Sequence, residues 1–100
     1  MPLHYDCVIP PDHPCLPGHF PGNPLVPGVV ILDQVLAAAA RLRPELRVVG
    51  VPQVKFVQPL RPGQPLRIEL TEQGDTRLRF HCRTDGGDIA QGVLSLAPRS

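Results

Sequence analysis

Aromatic side chains are scarce in this chain, which has no Trp, one Tyr and three Phe among 100 residues. Core volume must therefore come from Val, Leu, Ile and Ala, within an apolar share of 42% that is ordinary for a globular protein. An excess of one charge is also missing. Ten basic residues meet nine acidic ones for a net charge of +1, whereas nucleic-acid binders carry a marked basic surplus. Lysine itself is nearly absent, with Lys55 alone beside nine arginines. No apolar run reaches the roughly 18 residues that a membrane span needs. The start, Met1 to Asp6, lacks the basic head and apolar core of a secretion signal. Cys7, Cys15 and Cys82 have no short spacing between any two, so they match neither a disulfide framework nor a zinc site. The expectation is a reduced, cytoplasmic protein with no metal and no organic cofactor.

Proline, by contrast, is abundant, with fourteen in the chain and a dense group from Pro10 to Pro27. Elsewhere that density would suggest disorder. Here strongly apolar patterns flank it, so it reads as an ordered loop, and loops of this length inside small domains are usually functional. Prolines recur every third position at Pro11, Pro14 and Pro17, and again at Pro21, Pro24 and Pro27, a spacing that suits polyproline II. Gly18 and Gly22 flank His19-Phe20-Pro21 and permit tight turns there.

The remaining pattern predicts a single domain over 1–100. Leu3 to Ile9 reads as a strand. Gly28 to about Leu42 reads as a helix, stopped at Arg43 because a proline disfavours helical geometry in the residue before it. From Val29 to Ala40 that helix is apolar or small on nearly every face except at Asp33 and Gln34, so it is expected to be buried all round. Leu46 to Pro59 is a Val-rich strand with Pro52 as a bend or edge point. Leu66 to Leu70 and Leu78 to Arg83 alternate cleanly, joined through Gln73-Gly74-Asp75. Asp85-Gly86-Gly87 leads to a last strand, Ile89 to Ala97. Four strands in meander order after a buried helix predict an α+β fold, one helix held in a curled antiparallel sheet.

Two residues stand out against this background. The helical neighbours of Asp33 at three and four positions are Val29, Val30, Leu36 and Ala37, none of which can hydrogen-bond a carboxylate through its side chain. A carboxyl buried among them would keep its proton and act as a donor. The alternative is an early-helix Asp favoured by the macrodipole and reaching solvent. His19 complements it as a base, mostly neutral near pH 7, or else is an ordinary loop histidine. The loop ends at a helix N-terminus, where the amides of Gly28 and Val29 offer a site for a carbonyl oxygen as negative charge builds on it.

His19-Phe20-Pro21-Gly22-Asn23-Pro24-Leu25-Val26-Pro27-Gly28-Val29, followed by an acidic residue on the helix, resembles the 3-hydroxyacyl-[acyl-carrier-protein] dehydratases of the FabZ/FabA type. Val54-Lys55-Phe56-Val57-Gln58-Pro59-Leu60-Arg61-Pro62-Gly63-Gln64-Pro65-Leu66 looks like that family's strand and turn after the helix. The resemblance covers most of the chain and implies the hotdog fold. It also implies that His19 is the catalytic base and Asp33 the catalytic carboxyl, which is Glu in FabZ-like members and Asp in FabA-like ones. Gly28 matches the glycine whose amide binds the thioester carbonyl, and Leu25 the position whose carbonyl orients the histidine. Phe20 and Val29 join Leu25 and Gly28 as expected substrate-binding residues. The reaction implied is dehydration of 3-hydroxyacyl-carrier-protein thioesters to trans-2-enoyl thioesters, in fatty-acid or specialised synthesis such as that of aryl polyenes. In such enzymes the histidine and the carboxylate come from different subunits, so a homodimer, a larger ring or a mixed pair is expected. Where the family usually carries Gln, four residues after the carboxylate, this chain has Ala37.

Two other readings stand beside this one: a hotdog acyl thioesterase, and a non-catalytic acyl-binding subunit that completes a heterodimer. The partner expected in the leading reading is an acyl carrier protein. Arg77, Arg79, His81 and Arg83 alternate on one strand face and would suit its acidic surface. The simpler account is a solvated face paired across the hairpin with Glu69 and Glu72. Arg41, Arg43 and Arg47 form another basic group at the helix end, where cations complement the macrodipole.

Overall fold

Two prolines bracket the helix that the pattern predicts. In a computed structural model, which describes residues 3–10 and 25–98, helix α1 (Gly28–Leu42) begins directly after Pro27. Pro27 lies at φ −61° and ψ 147°, an extended cap that no side chain completes. At the other end the Arg43 amide donates to the Ala39 carbonyl at 2.8 Å and closes the last turn. The long proline-rich connection, with Cys15, His19 and Phe20, lies outside the described residues.

Five strands follow the alternation closely: β1 (Leu3–Val8), β2 (Leu46–Phe56), β3 (Pro65–Glu72), β4 (Arg77–Thr84) and β5 (Gly87–Pro98). They form one antiparallel sheet in the order β1-β3-β4-β5-β2. With the helix laid on its inner face, this is the α+β hotdog arrangement. β3, β4 and β5 are the expected meander, but β2 does not precede them in space. It lies on the far edge beside β5, because α1 carries the chain across the sheet before β2 begins. The hairpins turn where glycine allows it: Gly74 at φ 74° between β3 and β4, and Gly87 at φ 122° at the start of β5.

Strict alternation places Leu66, Ile68 and Leu70 of β3 and Leu78, Phe80 and Cys82 of β4 on the inner face, all essentially buried. Against them α1 turns Val30, Ile31, Val35, Ala38 and Ala39. Each of the larger apolar side chains so buried contributes about 1.5–3 kcal/mol. The helix is not buried all round, however. Val29, Asp33, Ala37 and Ala40 form an exposed stripe along its opposite side. A single sheet covers only the side of a helix that lies on it, so an apolar composition on every face exceeds what one chain can bury.

β2 is irregular. Its register against β5 slips between Val48 and Gly50 and again between Gly50 and Gln53. That bulged stretch brings the Gln53 carbonyl oxygen over Gly92. A Cβ at Gly92 would lie 2.2 Å from that oxygen and 2.7 Å from the Phe80 ring. Neither neighbour can yield, since one is backbone and the other is fully buried. Gly92→Ala is therefore expected to destabilise the chain by about 3 kcal/mol, read as a lowered urea midpoint, and a loss under 1 kcal/mol would contradict this packing. Burial, together with the neighbouring Cys7, pushes the Cys82 thiol up to about 12. In a Cys7→Ser/Cys15→Ser chain, Cys82 should then resist a thiol reagent at pH 8 and react at the rate of global unfolding.

Candidate active site at the start of the helix

The amides at a helix start have no carbonyl one turn back to bind. In α1 the amides of Val30 and Ile31 both turn onto the Pro27 carbonyl, at 3.0 and 3.3 Å. Those of Gly28 and Val29 meet no acceptor among the described residues. They sit at the positive end of the helix dipole, where an oxygen gathering negative charge is stabilised.

What fixes this end in place is a close approach. A Cβ on Gly28 would stand 2.7 Å from the tip of the Phe56 ring, so only glycine lets the helix start lie against that side chain. Phe56 ends β2, and the chain continues as Val57, whose amide donates to Ile89 at 2.8 Å. Val26 donates to the Leu60 carbonyl at 2.8 Å, tying the approach to the helix to the same turn. Between them lies an open cleft of about 460 Å³ lined by Val26, Gly28, Ile31, Phe56, Gln58 and Leu60. It lies within the size range of small-molecule sites.

Asp33 stands five residues into α1, roughly 7 Å farther along the axis than Gly28. Its carboxyl is exposed in the single chain, on the same stripe as Val29 and Ala37. Where that stripe continues, a second groove of about 490 Å³ opens between α1 and β2. Its walls are Leu36, Ala39 and Ala40 on the helix and Val48, Val49 and Val51 on the strand. The structure thus places Leu25, Gly28, Val29 and Asp33 along one segment, with Leu25 exposed just ahead of the helix. His19 and Phe20 lie outside the described residues. Among the described residues, no cluster of three His, Cys, Asp or Glu is arranged to hold a metal, and no helix is long and apolar enough to cross a membrane.

Sequence reasoning did not single out Phe56. The available signal was the one aromatic residue at the end of the Val-rich strand, but nothing local shows that its ring would meet Gly28. It also did not anticipate the alanine-walled groove, because small residues in a helix give no sign of which face stays open.

A family model described as ApeI-like, ApeI dehydratase, matches residues 2–93. A 3-hydroxyacyl-[acyl-carrier-protein] dehydratase FabZ of Thermomicrobium roseum is 42% identical over 99 residues, covering 86% of this chain and 66% of that protein. The chain spans about half to two thirds of the length of such curated relatives. Among solved structures, an uncharacterized protein from Erwinia carotovora subsp. atroseptica superposes with a TM-score of 0.82 at 31% identity, covering 97% of this chain and 83% of that one. The dehydratase heterocomplex ApeI:P from Xenorhabdus doucetiae gives 0.81 at 30% identity, with 98% and 88% covered.

The contact between Gly28 and Phe56 makes a prediction of its own. Gly28→Ala should cost about 1–2 kcal/mol in a denaturant titration, because the half-exposed ring can swing partly aside. Phe56→Ala in the same chain should recover most of that loss, and additive costs in the double variant would show that the two residues do not press on one another.

Proposed function

The chain belongs to the ApeI-like dehydratase family, and we propose that it removes water from 3-hydroxyacyl thioesters carried on an acyl carrier protein, leaving trans-2-enoyl thioesters. The observation that carries this reading is the uncapped helix N-terminus at Gly28 beside an apolar cleft, with the Asp33 carboxyl exposed on a helix stripe that a second subunit can reach. An oxyanion site on one subunit and a proton donor brought by the other suit a substrate whose thioester carbonyl and 3-hydroxyl are two carbons apart.

In the proposed reaction the thioester oxygen sits at the Gly28 amide. His19 takes the proton from the α-carbon, and the electron pair of that C–H bond moves into an enolate whose charge the amide and the helix dipole hold. Asp33 enters with its proton and gives it to the 3-hydroxyl. The C–O bond breaks, water leaves, and the enolate collapses to the enoyl thioester. Return of the proton from His19 to the Asp33 carboxylate through solvent restores both groups. Phe20 adjoins the histidine and Val29 the glycine in sequence, with Leu25 between the two, and this reading puts all three within reach of the acyl thioester.

One chain leaves Asp33 and its stripe uncovered, so the working site needs a second subunit. The edge strand β2 carries exposed Val49, Val51, Val54 and Phe56 and offers the seam. In this reading His19 of one subunit serves with Asp33 of the other. A homodimer and a mixed pair both meet the requirement, and the family relationship to the ApeI:P heterocomplex keeps the mixed pair in view. Acyl synthesis on a carrier protein also fits a cytoplasmic location.

Hydration of an enoyl thioester, followed as loss of its ultraviolet absorbance, tests the proposal in the reverse direction. His19→Ala and Asp33→Asn should each lower kcat by about a hundredfold or more. Mixing the two variants should restore part of the activity, through pairs that hold one intact site. Full activity in His19→Ala, or release of free thiol in place of hydration, would overturn the assignment, and thiol release would point to a thioesterase.

A further inference from the structure

Alternation puts Arg77, Arg79, His81 and Arg83 on the outer face of β4, behind the inward Leu78, Phe80 and Cys82. The structure divides that strip into two halves. In one half the charges are answered. Arg83 meets Glu69 at 2.9 Å and donates to His81 Nδ1 at 3.1 Å, while His81 Nε2 lies 2.9 Å from Asp88. On the adjoining strand Arg67 pairs with Asp6 at 3.0 Å. In the other half the expected partner has gone elsewhere. Glu72 lies on the inner side of β3 and pairs with Arg43 at the end of α1. Arg77 and Arg79 are thereby left without a carboxylate among the described residues.

Lys55 belongs with them. Arg79 is in register with Val93, and Lys55 with Gln91, two residues apart on β5. Residues two apart on a strand share a face, so Lys55 and Arg79 stand on one surface with only β5 between them, roughly 12 Å apart by strand spacing and rise per residue. A hollow of about 280 Å³ lies there, with Gln53, Lys55, Arg79 and Gln91 among its walls. Val93 faces outward at its floor yet is only 6% exposed, as it would be if the long side chains around it covered it.

A chain of net charge +1 thus gathers on one patch three cations that no carboxylate answers among the described residues. The patch is shallow and sits on the face of a sheet, whose amides are used in pairing, so it suits a broad acidic surface better than a small anion. Lys55 also adjoins Phe56, whose ring lies on Gly28 from the other side of β2, so the patch lies one strand's thickness from the start of the helix. We infer that Arg77, Arg79 and Lys55 form the surface on which the acidic carrier protein docks while its thioester is dehydrated. The inference rests on the proposed reaction and adds to it the place where the partner binds. Coulombic steering of this kind acts mainly on the encounter rate and fades with salt.

The test compares a 3-hydroxyacyl group on the carrier protein with the same group on a small pantetheine thioester, which needs no docking. In Arg77→Glu/Arg79→Glu, the ratio of kcat/KM for the carrier-linked over the small substrate should fall about tenfold or more at low ionic strength. The difference from wild type should shrink as salt is raised. Lys55→Glu should lower the ratio in the same direction, while Arg41→Glu, on the helix, should leave it at the wild-type value. An unchanged ratio in the double variant, or an equal fall in Arg41→Glu, would overturn the assignment. If wild-type protein dehydrates neither substrate, the reaction has failed and the surface is judged separately, by titrating carrier protein at low salt. Binding by wild type that the double variant loses supports the surface. Binding that survives the charge reversal, or none by wild type, refutes it.

Discussion

The structure turns on the contact between one side of α1 and the inner face of a five-stranded sheet. Val30, Ile31, Val35, Ala38 and Ala39 meet the alternating Leu, Ile, Phe and Cys residues of β3 and β4, and this layer is the hydrophobic core of a chain poor in aromatic side chains. Because the helix lies across the sheet, it delivers the chain to the far edge, where β2 joins β5 and, among the described residues, pairs with no strand on its other side. The same contact leaves the opposite stripe of the helix open. The uncovered helix stripe and the unpaired strand edge thus follow from one packing event, and Asp33 lies on the first of them.

The start of the helix is held with similar economy. Pro27 supplies no capping side chain, so the Gly28 and Val29 amides meet no acceptor among the described residues, and Gly28 is small enough for Phe56 to lie against it. A bulkier residue at 28 would push the strand end away, and a capping Ser or Asp at 27 would occupy amides that an oxyanion site must keep free. The local cost to helix stability is a lost cap. The return is an electropositive corner beside an apolar cleft.

Electrostatics on the outer face obeys a different logic. The carboxylates there are too few to answer every arginine, and geometry decides which are served. Glu69 points outward and joins the Arg83, His81 and Asp88 network, whereas Glu72, three residues on, points inward to Arg43. Exposed pairs of this kind add little to stability. Their larger effect is to sort the arginines of that face into a quenched half and, among the described residues, a bare one.

The sequence by itself determined the described elements and the family. Alternation of period two and the Pro27 and Pro44 brackets place every strand and the helix within a few residues, because burial of one face and the backbone limits of proline act locally. The motif from His19 to Val29 determined which chemistry to look for. Only the tertiary structure decided that β2 crosses to the far edge, that Asp33 lies on an uncovered stripe, that Phe56 rests on Gly28, and that Glu72 abandons the arginines of β4 for Arg43. Each of these depends on which surfaces meet across long separations in the chain, and a one-dimensional pattern records how apolar a face is but not whether another element arrives to cover it.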